Sequence, residues 1–142
     1  MFRLIRVLPT LFIPGAIYTG LKLIAFYKGP SDLLSSTFLN LPLPSKNICI
    51  LRVSDAIIIL GLFMLYFEII KSTDVRNLQI VEHIFSFFLV VAFLLELLLA
   101  PFTPDATLVI LLVMACLDLI AGITVTITAT RKDISVSGFG RI

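Results

Sequence analysis

At 142 residues, 59% of them hydrophobic and only 14% charged, the chain is too short for a second folded unit and too apolar to keep a globular surface wet. Soluble domains carry about 25% charged residues, and the mean hydropathy here is +1.12. A net charge of +2 with no basic stripe excludes nucleic acid as a partner. The two cysteines, Cys49 and Cys116, show no C-x-x-C or metal-type spacing, which excludes a thiolate metal site.

In chain order, Arg3 and Arg6 precede the apolar stretch VLPTLFIPGAIYTGLKLIAFY. It imitates a signal peptide. Its length, the interruptions at Pro9 and Pro14, and the lack of a small-x-small site before Lys28 point instead to a retained first span, about 7–27. The loop 28–53 is the only large piece outside the apolar stretches. Ser31-Asp32 can cap a short amphipathic turn, DLLSSTF, on the membrane surface. FLNLPLP and ICILRV then flank the turn-like Ser45-Lys46-Asn47. Between 38 and 53 this pattern predicts a small β-hairpin, with Pro42 and Pro44 on an edge strand; the alternative is that ICILRV extends the second span.

The second span is expected over 54–70, with Ser54 as N-cap and Asp55 in the first turn. The third runs over 75–100, from behind the cap candidate Asp74 to just before Pro101. The fourth runs over 104–128, opened by Thr103-Pro104-Asp105 as cap, N1 proline and first-turn acid. The tail 131–142, RKDISVSGFGRI, reads as polar and flexible. A span needs about 20 apolar residues, so the expected fold is an all-α membrane protein. Its four transmembrane helices form one antiparallel bundle with a small outer loop. Arg3, Arg6, Lys71, Arg76, Arg131, Lys132 and Arg141 fall on one side of such a bundle, against Lys28, Lys46 and Arg52 on the other. That bias places both termini on the cytoplasmic side of an inner or plasma membrane.

Ionisable groups inside spans are costly and mark a buried or functional face. Ala115, Gly122 and Ala129 recur every seven residues in the fourth span, and Asp118 lies on their face. Ser54, Gly61 and Glu68 form the like stripe in the second. Gln79, Glu82, His83 and Ser86 line one face of the third, with Glu96 two heptads past Glu82; Gly15, Thr19 and Lys22 do so in the first. Together they predict a left-handed bundle with a polar seam.

Depth sorts the seam. Lys22 and Glu96 lie just below the outer interface and can pair, unless Lys22 snorkels outward. Glu68 and Glu82 fall at similar height beside His83, where two carboxylates share a proton or hold a cation. The alternative is that Glu68 reaches Lys71 while Glu82 and His83 sit among headgroups. Asp118, about 14 residues from Pro104, lies about 20 Å deep. Desolvation there favours its neutral form, able to donate a hydrogen bond. Its roles are interhelical glue, contact with a partner protein, or a proton or ion path.

No H-E-x-x-H, G-x-S-x-G, P-loop or G-x-G-x-x-G occurs, and one histidine cannot make a bis-His haem site. No cofactor, metal or catalytic residue is therefore expected. Size and span number are similar to those of small multidrug exporters and fluoride channels. The first span lacks the exporters' glutamate, and the charge bias is too strong for a dual-topology protein of either kind. The leading expectation is a non-catalytic accessory or assembly subunit of a larger membrane complex. The alternative is a small homo-oligomeric proton- or cation-coupled transporter or channel using the intramembrane carboxylates. Partners are the lipid bilayer and a membrane protein or further copies of the chain.

Overall fold

The computed structural model describes residues 8–29, 33–72 and 79–138. These form four helices and one hairpin: α1 (Phe12–Lys28), a 3-10 turn (Leu33–Ser35), β1 (Thr37–Pro42), β2 (Ile48–Arg52), α2 (Val53–Ser72), α3 (Gln79–Leu99) and α4 (Ala106–Gly138). Among the described residues, three stretches are long and apolar enough to cross a membrane: Val53–Ser72, Val81–Leu99 and Ala106–Thr128. At 17 residues, α1 is shorter and less apolar than these.

The first helix starts later than the apolar run suggests, at Phe12 rather than near residue 7. Pro14 accounts for the shift. Deep inside a helix it would remove a hydrogen bond and clash with the preceding turn, whereas in the first turn its missing N–H costs nothing. Phe12 and Ile13 donate their N–H groups to Pro9 and Thr10 carbonyls at 3.0 and 3.1 Å, which winds the chain into α1. Gly29, at φ 100°, ends it.

The hairpin is present, so ICILRV does not extend the second span; β2 instead runs straight into α2 at Val53. Its antiparallel register pairs Pro42 with Ile48, Leu41 with Cys49, Asn40 with Ile50 and Leu39 with Leu51, and β1 carries a bulge before Leu39. Lys46 donates its N–H to the Leu43 carbonyl at 3.0 Å, closing a turn with Pro44 at its second position. Lys46 itself adopts φ 65°, the left-handed residue that a three-residue hairpin loop requires. Ser31 and Asp32 lie outside the described residues. The turn after them buries Leu34 against α1 and α2, so it packs on the helices rather than resting on lipid alone.

At the start of α2, the Asp55 carboxylate accepts the Arg52 backbone N–H at 2.9 Å. That is half of a capping box, with Arg52 rather than Ser54 in the cap position. The expected start of the third helix at Asp74-Val75 lies outside the described residues. The fourth begins at Ala106, one or two residues later than Thr103-Pro104-Asp105 suggested, with Asp105 at its cap position. It also continues ten residues past the expected end, so much of the tail read as flexible is helical. Nothing between Gly122 and Gly138 is a glycine or proline, and α-helix simply propagates through Arg131 and Lys132. Thr124, Thr126 and Thr128 satisfy their hydroxyls on carbonyls four residues back, at 2.7, 3.0 and 2.8 Å.

Contacts fix the relative directions. Gly15 and Thr19 of α1 meet Phe93 and Glu96 of α3, so these two run the same way. His83 and Ser86 meet Thr126 and Asp118, so α3 and α4 run in opposite directions. The fourth helix packs against both α2 and α3 and is the most buried of the three long apolar stretches. Glycines set how closely the helices approach. A Cβ on Gly61 would lie 3.0 Å from Met114 Sδ and 3.3 Å from Leu111 Cδ2, drawing α2 onto α4. A Cβ on Gly15 would collide with the Phe93 ring. The core between them holds Leu11, Tyr18, Ile57, Leu65, Leu89, Phe93, Leu108, Leu111 and Met114. The outward faces carry Phe63, Phe67, Phe87, Phe88 and Leu98, each more than half exposed, as a lipid-facing surface requires.

Candidate functional site

The residues expected on the seam do face inward. Gly15, Gly61, Glu68, Ser86, Ala115, Asp118 and Gly122 are buried, and Thr19, Lys22, Glu82, His83 and Glu96 are half-buried. Side chains at Gln79 and Ala129 lie outside the described residues. The polar groups gather in two layers separated by the apolar core.

In the layer at the hairpin end of the bundle, Lys22 does not pair with Glu96. Its Nζ lies 3.1 Å from Asp105 Oδ2 and 3.4 Å from the Thr103 carbonyl. Tyr18, one turn earlier on α1, donates its hydroxyl to the other oxygen of Asp105 at 2.9 Å. The cause is the late start of α4. Asp105 sits ahead of the first turn instead of within it, and its carboxylate turns towards α1. Glu96 is served by Thr19, whose hydroxyl lies 2.8 and 2.9 Å from its two oxygens. Tyr18 is fully buried, and only its tip reaches the polar layer.

The second layer centres on Glu68. Thr10 donates both its backbone N–H and its hydroxyl to Glu68 Oε2, at 3.0 and 2.8 Å. Lys71 lies 3.1 Å from Glu68 Oε1 and 3.8 Å from Glu82 Oε1. The two sequence readings therefore merge. Both carboxylates do come to one height, and the cation between them is the chain's own lysine. Glu82 turns to α2, while His83, the next residue, turns to α4 and meets Thr126 Oγ1 at 2.8 Å. If Thr126 gives its one proton to the Gly122 carbonyl, the His83 ring donates through Nε2–H. Gly122 is what admits the imidazole, since a Cβ there would lie 2.6 Å from His83 Cε1.

Asp118 is buried against α3, where Ser86 donates its hydroxyl to Oδ2 at 3.0 Å. The neighbouring helix is thus α3 of the same chain. Among the described residues, every buried side-chain nitrogen and oxygen has a hydrogen-bond partner. No three His, Cys, Asp or Glu residues among them stand close enough to hold a metal ion.

Sequence reasoning missed Thr10, Tyr18, Asp105 and Thr126. Tyr18 was within reach, because it sits four residues before Lys22 on one helix face. Thr10 was hidden by the assumption that it lay inside the first helix. Thr126 is one of several threonines in ITVTITAT, and nothing local separates it from the others.

The class these features define is a helical membrane protein whose interior polar groups link its helices. No protein-family model, curated relative or solved structure matches the chain.

Proposed function

We propose that the chain is a non-catalytic membrane module, an accessory or assembly subunit of a larger membrane complex. In this reading all four helices span the bilayer as one antiparallel bundle with both termini cytoplasmic, and α1 crosses with its Lys22 end at the outer interface. The observation that carries the reading is the contrast between an inward-directed seam and an outward-directed hairpin. Phe38, Leu39, Leu41, Ile48 and Ile50 are all exposed, and they occupy both faces of a two-stranded ribbon. A lone hairpin is marginally stable in water, and one apolar on both sides wants cover.

Two experiments test it. Crosslinking in native membranes, followed by mild-detergent purification and mass spectrometry, should recover a specific membrane-protein partner; recovery of self-contacts alone contradicts an accessory role. Orientation is read from Cys49, which an impermeant maleimide should label in intact cells. Cys49 reacting only after the membrane is opened would invert the topology.

One observation favours a second reading. Ser86–Asp118 and His83–Thr126 follow one another along the α3–α4 interface and could pass protons in a homo-oligomeric transporter. Liposomes holding the purified protein should then show a proton or cation flux that Asp118→Asn abolishes. No flux from the wild type sinks the transport reading.

A further inference from the structure

The two edges of the hairpin are not equivalent. Leu43 donates its N–H to the Asn47 carbonyl at 2.9 Å, which makes 43–47 a hydrogen-bonded pair. Antiparallel pairs alternate, so Leu41–Cys49 and Leu39–Leu51 are also bonded, while Pro42–Ile48 and Asn40–Ile50 are not. The N–H and C=O of Ile48 and Ile50 therefore face the open edge of β2. On β1 the corresponding positions are Asn40 and Pro42. Pro42 has no N–H to offer, and the bulge before Leu39 twists the strand; both devices block strand addition. The β2 edge has neither, and it holds no charge before Arg52.

We infer that the β2 edge pairs antiparallel with β2 of a second copy of this chain, making a four-stranded sheet β1–β2–β2–β1 about a two-fold axis at Cys49. Three observations select a second copy. First, the pairing is self-complementary: Ile48 of each copy meets Ile50 of the other, and each exchanges both backbone bonds. Second, the register needs only free groups. Arg52 has already given its N–H to Asp55 at 2.9 Å, and this ladder does not use it. Third, the blocked β1 edges end the sheet at four strands, so assembly closes at two copies instead of growing into a fibre. Because β2 joins α2 without a linker, copies inserted in one orientation hold their hairpins at one membrane face, which raises their effective concentration. This rests on the hairpin being a docking element and names its first occupant.

Cys49 reports the arrangement. Across the axis it faces its own copy in a non-hydrogen-bonded pair, where Cα atoms stand about 4.5 Å apart, within the range a disulfide spans. In native membranes, with Cys116→Ala, diamide oxidation should convert the 15.7 kDa chain to a species of twice that mass. Ile50→Pro removes an outward N–H while leaving the bonds to β1, and should cut the yield at least tenfold. Ile48→Lys with Ile50→Lys sets like charges opposite one another and should do the same. Ile48→Lys with Ile50→Glu sets opposite charges there and should restore the dimer, which excludes misfolding as the cause. Asn40→Cys with Cys49→Ala, on the blocked edge, should give no dimer. The inference is overturned if Cys49 reacts with maleimide yet stays monomeric on oxidation, or if Asn40→Cys crosslinks equally well. A photo-crosslinker at Ile50 that captures a different membrane protein and no second copy also overturns it, while leaving the accessory reading standing. Capture of no protein at all overturns both.

Discussion

The seam and the hairpin solve opposite problems. In the seam, carboxylates and hydroxyls enter an apolar interior, and each finds a partner within the chain: Glu68 with Thr10 and, on its own helix, Lys71, Glu96 with Thr19, Asp105 with Tyr18 and Lys22, Asp118 with Ser86. In the hairpin, large apolar side chains and the polar backbone edge of β2 face outward. The difference teaches where to look for a partner. Acids in a span invite an external base only when the chain leaves them unserved, and here they are served. The exposed ribbon asks more of its surroundings than the buried charges do.

The sharpest way to break this comparison is to open the seam. Lys71→Ala leaves Glu68 buried beside Glu82 without its cation. Loss of one member of a buried pair costs about 3 kcal/mol, the low end of that class, since the lysine side chain is itself 23% exposed. Unfolding by SDS titration should show the loss, and a change within error would mean the layer around Glu68 contributes little. Gly15→Val should come next. The added side chain strikes the Phe93 ring, and overpacking of this kind costs about 2 kcal/mol. Its companion Gly20→Val, where an added Cβ meets nothing within 4 Å, should leave the unfolding midpoint unmoved. Ser86→Ala removes the donor to Asp118 and should cost about 1 kcal/mol by the same titration. Smallest of the destabilising changes should be Ile48→Ser in the hairpin, within about 0.5 kcal/mol for an exposed site. A hairpin change that destabilises the monomer as much as Lys71→Ala would erase the distinction.

Much of this was legible in the sequence because of periodicity. Seven-residue recurrence put Gly61 and Glu68, and Ala115 and Gly122, on inward faces, and the structure buries them. The hairpin was legible from Pro42, Pro44 and the Ser45-Lys46-Asn47 turn. Pairing within the seam was legible only in part. Lys71 lies three residues from Glu68, so that contact was local and readable. The choice of Asp105 over Glu96 by Lys22 depended on where α4 begins, and a shift of one or two residues at a helix start redirects a side chain by about 100° to 200°. Helix ends carry little sequence information of that fineness. The long α4 was missed because Arg131 and Lys132 were taken to end the helix, whereas the backbone stays helical to Gly138.

Crosslinking yield in native membranes tests the central claim directly, by comparing a seam variant with a hairpin variant. Asp118→Asn, whose contact lies inside the chain, should leave capture of protein partners unchanged. Phe38→Ser combined with Ile50→Ser should abolish that capture while the monomer stays folded. The reverse outcome, with capture lost in Asp118→Asn and kept in the hairpin variant, would contradict the account and return the partner surface to the membrane interior.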